Sequence, residues 1–365
     1  MELTQKELEY WLASVQKIGP VKTRRLLEYF GNEEAIYHAT RMELEQVEGI
    51  TQLVSEEMLQ RKNSEKISIE YKKMLEKNIQ LISVNDTAYP EKLKYIEKAP
   101  YALFCRGELP KEERLTIAIV GARNCSAYGK EMALWFGKEL SDAGIQVISG
   151  LAFGIDGYAH QGALHGGTPT YGVLGNGIDI CYPKENFSIY MKIQEQGGIL
   201  SEYSPGTRPA TFQFPMRNRI ISGLADMVIV IEARFRSGSL ITADQALEQG
   251  RDVYAVPGRI TDPLSRGCNE LIRQGAGIIT DPVEFVEKYF SKQDSCAPKC
   301  KKNKIALALS EEKVYSCLDF SPTHLSIIVD RTGFSMQETV SVLMQLMMKG
   351  LVTETSKNYY ALKFR

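Results

Sequence analysis

Four segments of this chain combine glycine with polar side chains directly after a short apolar run. They are Gly121-Ala122-Arg123-Asn124-Cys125-Ser126, Gly150-Leu151-Ala152-Phe153-Gly154-Ile155-Asp156, Gly175-Asn176-Gly177-Ile178-Asp179 and Ser237-Gly238-Ser239-Leu240-Ile241-Thr242. Glycine lets a backbone turn and approach an anion, and a helix that starts beyond it presents unpaired N–H groups. Two further segments lie among them, Tyr182-Pro183-Lys184-Glu185-Asn186 and Phe212-Gln213-Phe214-Pro215-Met216-Arg217-Asn218-Arg219. The second interleaves cations with aromatic rings, the pairing by which a single-stranded nucleic acid groove takes phosphates and exposed bases. The same spacing is equally met by core phenylalanines and by arginines paired with local carboxylates.

Catalytic readings find less support. A dinucleotide fold would show Gly-x-Gly-x-x-Gly in the first loop, but Arg123 stands at the second glycine position and the next strand ends in Ser149-Gly150. The chain has no Gly-x-x-x-x-Gly-Lys-Ser/Thr segment. His160 and His165 are five apart, a spacing that does not share a helical face cleanly. Asp156 and Asp179 end glycine loops, where an aspartate more often holds the turn than acts as a base. Cys296 and Cys300 lack the second pair of ligands that structural zinc requires, so no metal and no cofactor is expected.

These loops need strands to place them. Apolar runs at Ile79–Val84, Tyr101–Cys105, Thr116–Val120, Gln146–Ser149, Thr170–Leu174, Met227–Ile231 and Asp252–Val256 alternate with helical stretches such as Gly129–Ala143 and Ser239–Gln249. That grammar predicts an α/β fold, a doubly wound parallel sheet with helices on both faces. Of 29 glycines, 23 lie between Gly121 and Gly277, which places the functional loops in this middle domain.

The flanks differ. In residues 1–66, Leu8, Trp11, Leu12, Val15 and Ile18 recur at helical spacing, Gly19-Pro20 breaks the run, and a second helix follows from Val21 to Phe30. Ile18-Gly19-Pro20-Val21-Lys22 and Val47-Glu48-Gly49-Ile50 resemble the turns of helix-hairpin-helix modules. Nine Lys/Arg against twelve Asp/Glu in this stretch favour a structural role for them. Residues 291–303 are polar and aperiodic, a linker. Three helices and a hairpin then follow in residues 304–365, a winged-helix pattern. Its third helix, Ser335–Lys349, carries Lys349 as its one basic residue, so protein contact or intramolecular docking is expected above base reading.

Composition bounds the partners. Forty-four Lys/Arg against 45 Asp/Glu give a net charge of −1, which excludes coating of nucleic acid or anionic membrane by bulk charge. No apolar run reaches the length of a membrane span, and the first residues lack a signal-peptide pattern. Seven cysteines without a disulfide framework fit a cytoplasmic chain.

Taken together, Ile119-Val120-Gly121-Ala122-Arg123, Ser149 to Asp156, Tyr182 to Asn186, Phe214 to Leu224, Ser237 to Ala243 and Asp252 to Gly258 closely resemble the DNA-processing protein A (DprA/Smf) family, in family order across the middle domain. The resemblance implies an extended Rossmann-like domain over residues 67–290 that binds single-stranded DNA and catalyses no reaction. It further implies protection of incoming DNA in natural transformation, loading of the recombinase RecA, and a homodimer through the Rossmann domain. Carried over by position, Arg123 and Lys184 would be the main DNA contacts, and Arg217, Arg219 and Phe214 would line the same positive pocket. Gly121, Ser126, Gly150, Asn186, Asn218, Ser237, Gly238 and Ser239 complete the expected contact set. Two other classes remain open: an enzyme akin to nucleoside monophosphate phosphoribohydrolases, whose Pro-Gly-Gly-x-Gly-Thr segment is absent here, and a protein-binding adaptor acting through the terminal domains.

Overall fold

Short β-branched runs alternating with amphipathic helices build a nine-stranded sheet in a computed structural model that describes residues 2–290, 308–319 and 322–362. The strands are β1 (Gln80–Ser83), β2 (Ala102–Gly107), β3 (Thr116–Val120), β4 (Gln146–Ser149), β5 (Thr170–Leu174), β6 (Gly197–Ser201), β7 (Met227–Val230), β8 (Asp252–Ala255) and β9 (Gly277–Ile278). Their spatial order is β1-β2-β6-β5-β4-β3-β7-β8-β9. From β6 to β9 every pairing is parallel, as expected for a doubly wound sheet. β1 and β2 extend one edge antiparallel. The chain runs outward from β3 through β4, β5 and β6, then returns to place β7 on the other side of β3. That reversal is the topological switch point, where a doubly wound sheet opens a crevice beyond its carboxyl ends.

Two strands escape the sequence pattern. β6 begins with Gly197-Gly198, which reads as a loop, yet the backbones of Thr170 and Glu108 press so close that a Cβ at either glycine would collide with them. Only glycine fits between β5 and the antiparallel β2. β9 has two residues, too few for any period.

The two sheet faces bury different partners. In β1 and β2, Leu81, Ala102 and Phe104 join a core with Trp11, Leu26, Leu44 and Met58 of the first helices. Ile82, Leu103 and Cys105, alternating with them, face a second core with Leu93, Ile220 and Leu224. The six helices from Gln5 to Glu76 therefore cap one face of the sheet rather than standing apart. The Gln5–Ser14 helix starts in a capping box between Thr4 and Glu7, and the Pro20–Phe30 helix stops at Gly31, whose φ of 87° needs glycine.

The chain divides into two compact units, residues 1–294 and 295–365. The expected linker, with Cys296 and Cys300, lies outside the described residues. In the second unit, helices Leu309–Ser316, Leu325–Thr332 and Met336–Met348 surround Val314, Ile328, Leu343 and Leu346. The wing is β11 (Val352–Ser356) and β12 (Tyr359–Leu362). Before the second helix, Thr323-His324 forms β10 against β12. Among the described residues no helix is long and apolar enough to cross a membrane.

Candidate nucleic-acid interface

The loops after β3, β4 and β5 meet the start of the Gln213–Leu224 helix at the carboxyl edge of the sheet. Between them opens a cleft of about 270 Å³ lined by Gly121, Arg123, Ala152, Asp156, Tyr182, Phe214, Arg217, Asn218, Gly238 and Ser239, among others. Phe214, Arg217 and Asn218 lie three and four apart on the helix and so share the face turned to the cleft.

Arg217 forms the floor. It is 4% exposed and donates from Nη1 to the carbonyl of Gly150 at 2.7 Å and to that of Val173, which ties it to the ends of β4 and β5. Among the described residues its Nε has no partner. Gly150 carries no Cβ because one would strike the guanidinium. Burial lowers the Arg217 pKa to about 10, opposed by the negative charge of Asp156, so it remains a cation at neutral pH. Burial likewise raises the Asp156 carboxyl, against the pull of Arg217. Asp156 accepts from the Gly150 N–H at 3.1 Å, which is the turn-holding role expected of it.

Above the floor stands a stack. The Tyr182 and Phe214 rings are 5.6 Å apart and 21° from parallel, and the exposed Arg123 guanidinium lies 5.2 Å from the Phe214 centroid. Rings and a cation thus share one solvent-facing wall, suited to bases and phosphates respectively. The sequence places Tyr182 only within a segment, and an aromatic residue beside Pro183-Lys184 is the available signal.

The remaining expected residues divide. Gly121, Gly238, Ser239 and Asn218 line the cleft. Ser237 stands at the N-cap of the Gly238–Glu248 helix, its hydroxyl hydrogen-bonded to that of Ser239 at 2.8 Å rather than to a backbone N–H of the first turn. Lys184 is exposed on a short turn two residues beyond Tyr182, outside the cleft lining and, among the described residues, with no ion pair. Asn186 holds that turn in place by donating to the carbonyls of Leu151 and Ala152 at 3.0 and 2.9 Å.

Two expected contacts face elsewhere. Arg219 sits two residues from Arg217, about 200° around the helix, and cannot share its face. It donates from Nη2 to both Glu202 oxygens at 2.7 and 2.9 Å and from Nε to the Lys98 carbonyl at 2.9 Å, so its charge is spent inside the fold. Ser126 caps the Ala127–Asp142 helix, and its hydroxyl donates to the buried Glu232 carboxylate.

The histidines are no acid–base pair. His160 is fully buried, with Nδ1 2.8 Å from the Thr170 hydroxyl, and burial depresses its pKa to about 3, which keeps it neutral. His165 is exposed. Asp179 accepts from the Gly206 N–H at 2.7 Å and pairs with Lys77. Among the described residues no group of His, Cys, Asp and Glu could hold a metal ion.

Comparison with known proteins gives the same picture at the level of whole domains. Residues 80–290 match the family described as DNA recombination-mediator protein A, and residues 301–356 match the DprA winged helix domain. Protein Smf of Escherichia coli is 37% identical over 294 residues, covering 78% of each chain. The X-ray structure of DNA processing protein A from Streptococcus pneumoniae superposes with a TM-score of 0.69 at 37% identity, over 80% of this chain and 99% of that one. A Helicobacter pylori DNA processing protein A structure, described for its single-stranded DNA binding mode, superposes with a TM-score of 0.52 at 29% identity, over 57% of this chain and 95% of that one.

Proposed function

This chain belongs to the DNA recombination-mediator protein A (DprA/Smf) family, and on that premise we propose that it binds single-stranded DNA at the Arg123–Arg217 cleft without catalysing a reaction. One observation carries the reading: Arg123 and Arg217 meet the stacked Tyr182 and Phe214 in a single cleft at the switch point of the sheet. Duplex DNA keeps its bases stacked and out of reach, whereas a single strand offers both a base to the rings and a phosphate to the cations. The relative from Helicobacter pylori, whose structure is described for its single-stranded DNA binding mode, supports the assignment. Lys184, Asn218, Gly121, Gly150, Gly238 and Ser239 belong to the same proposed contact set, with Asn186 positioning the Lys184 turn. The titratable groups nearest the cleft are engaged by the fold, Asp156 with Gly150 and His160 with Thr170, which fits binding rather than turnover.

From family membership we further propose that the protein acts in the cytoplasm, protects incoming DNA during natural transformation, helps load RecA, and dimerises through the Rossmann domain. The proposed division is a helical domain over 1–66, the Rossmann-like domain over 67–290, a linker over 291–303 and the winged helix over 304–365. Fluorescence anisotropy of a labelled oligo-dT, with and without duplex competitor, tests the binding assignment. Saturable binding that duplex does not displace is expected. No binding, or equal displacement by duplex, overturns it.

A further inference from the structure

The start of the Gln213–Leu224 helix has a second cleft on its other side. Phe212, Gln213 and Met216 form one wall with Tyr203, Ser204 and Thr207 of the segment after β6, and the turn from Ser14 to Pro20 forms the opposite wall. The space is about 530 Å³, within the range of sites that enclose a nucleotide-sized group. Phe212 is 70% exposed at its mouth, far more than a core phenylalanine. The one carboxylate in the wall, Glu202, is neutralised by its two bonds to Arg219, so it does not repel a phosphate.

The two clefts are joined by a short segment. Thr207 lines the second and Thr211 the first, and Arg208 stands between them. Arg208 is exposed and, among the described residues, makes no hydrogen bond or ion pair. A surface cation without a partner among the described residues, four residues before the exposed Phe212 and between two concave sites, supplies the same residue types as Arg123 and Phe214. We propose that a single strand seated at the Arg123–Arg217 cleft continues across residues 207–212, with Arg208 taking a phosphate and Phe212 stacking a base that enters the second cleft. This rests on the binding reading above and extends it to residues outside the expected contact set. The Ile18-Gly19-Pro20 turn, singled out in the sequence for its likeness to helix-hairpin-helix turns, then serves as the far wall of a strand path.

The test compares labelled dT5 and dT20 on the full chain and its Arg208→Ala, Phe212→Ala and Arg123→Ala variants. Both new positions are exposed, so the variants should melt like the parent protein. Arg208→Ala and Phe212→Ala should each weaken dT20 binding roughly tenfold and leave dT5 within twofold, because only the longer strand spans both clefts. Arg208→Ala should also shallow the log–log salt slope for dT20 by about 0.7. Unchanged dT20 affinity in both variants, or equal losses for dT5 and dT20, would overturn the extended path. If Arg123→Ala still weakens both oligonucleotides, the first cleft stands alone; if it weakens neither, both readings fail together.

Discussion

Two helices in this molecule occupy positions from which nucleic acid is commonly read, and their surfaces differ sharply. The Gln213–Leu224 helix begins at the carboxyl edge of a doubly wound sheet and presents Phe214 and Arg217 to a cleft completed by Arg123 and Tyr182. The Met336–Met348 helix is the third helix of a winged-helix unit, the usual recognition element, yet it exposes Met336, Met344 and Met348. Lys349, which directly follows it, is held 2.6 Å from Glu311. Residues 308–362 carry four Lys/Arg against six Asp/Glu. Topology alone would assign DNA to both helices, whereas charge assigns it to the first. Methionine, flexible and polarisable, suits a protein surface better than a phosphate backbone.

The largest effect that would sharpen this contrast concerns Arg217, which carries a structural load that no winged-helix cation has. Arg217→Met removes the donor to the Gly150 and Val173 carbonyls and the positive charge that offsets the buried Asp156. Leaving a buried acceptor unpaired costs about 1–3 kcal/mol. Urea unfolding of the first unit should shift by that amount, and a loss below about 1 kcal/mol would show that Arg217 is not the keystone of the floor.

Acid should separate the two units next. His160, buried beneath the site, has its folded pKa depressed to about 3, below an unfolded value of about 6.5. Its contribution to stability is therefore fully present above pH 6.5 and is lost as pH falls toward 3. Between pH 7.5 and 5.5 the first unit should lose about 1.4 kcal/mol from this residue. His160→Gln should flatten that part of the unfolding profile. An equally steep profile in the variant would contradict the assignment.

The smallest expected effect is the absence of one. A chain ending at Phe290 should bind oligo-dT within twofold of the full chain, because the winged helix offers no free cation on its third helix. A collapse of affinity in a truncated chain that still folds would erase the distinction between the two helices.

Much of this could be read from the sequence, for identifiable reasons. β3, β4, β5 and β7 are short runs buried on both faces, so composition alone marks them, while β8 is buried through Val253 and Ala255 on one face. β6 was hidden because its two glycines answer to neighbouring backbones rather than to a pattern of side chains. Loop position and the aromatic–cation spacing mark the segments that hold Arg123, Phe214 and Arg217, while their assignment as DNA contacts comes from the family resemblance. Arg219 could not be separated from Arg217 without knowing that the segment is a helix, since residues two apart share a strand face but not a helical one. Tyr182 and Phe212 depend on where distant loops meet, which local pattern does not encode.

Salt dependence of oligo-dT affinity, measured for the parent protein and for Arg123→Ala and Lys184→Ala, tests the central claim most directly. A single strand that gives up counterions to these side chains should show a log–log slope that becomes shallower by about 0.7 for each phosphate contact removed. Arg123→Ala should weaken binding more than Lys184→Ala, because Arg123 lies against the Phe214 ring in the cleft while Lys184 stands outside its lining. Thermal melts of both variants should match the parent, both side chains being exposed. Unchanged affinity and slope in two well-folded variants would place the strand elsewhere on the protein.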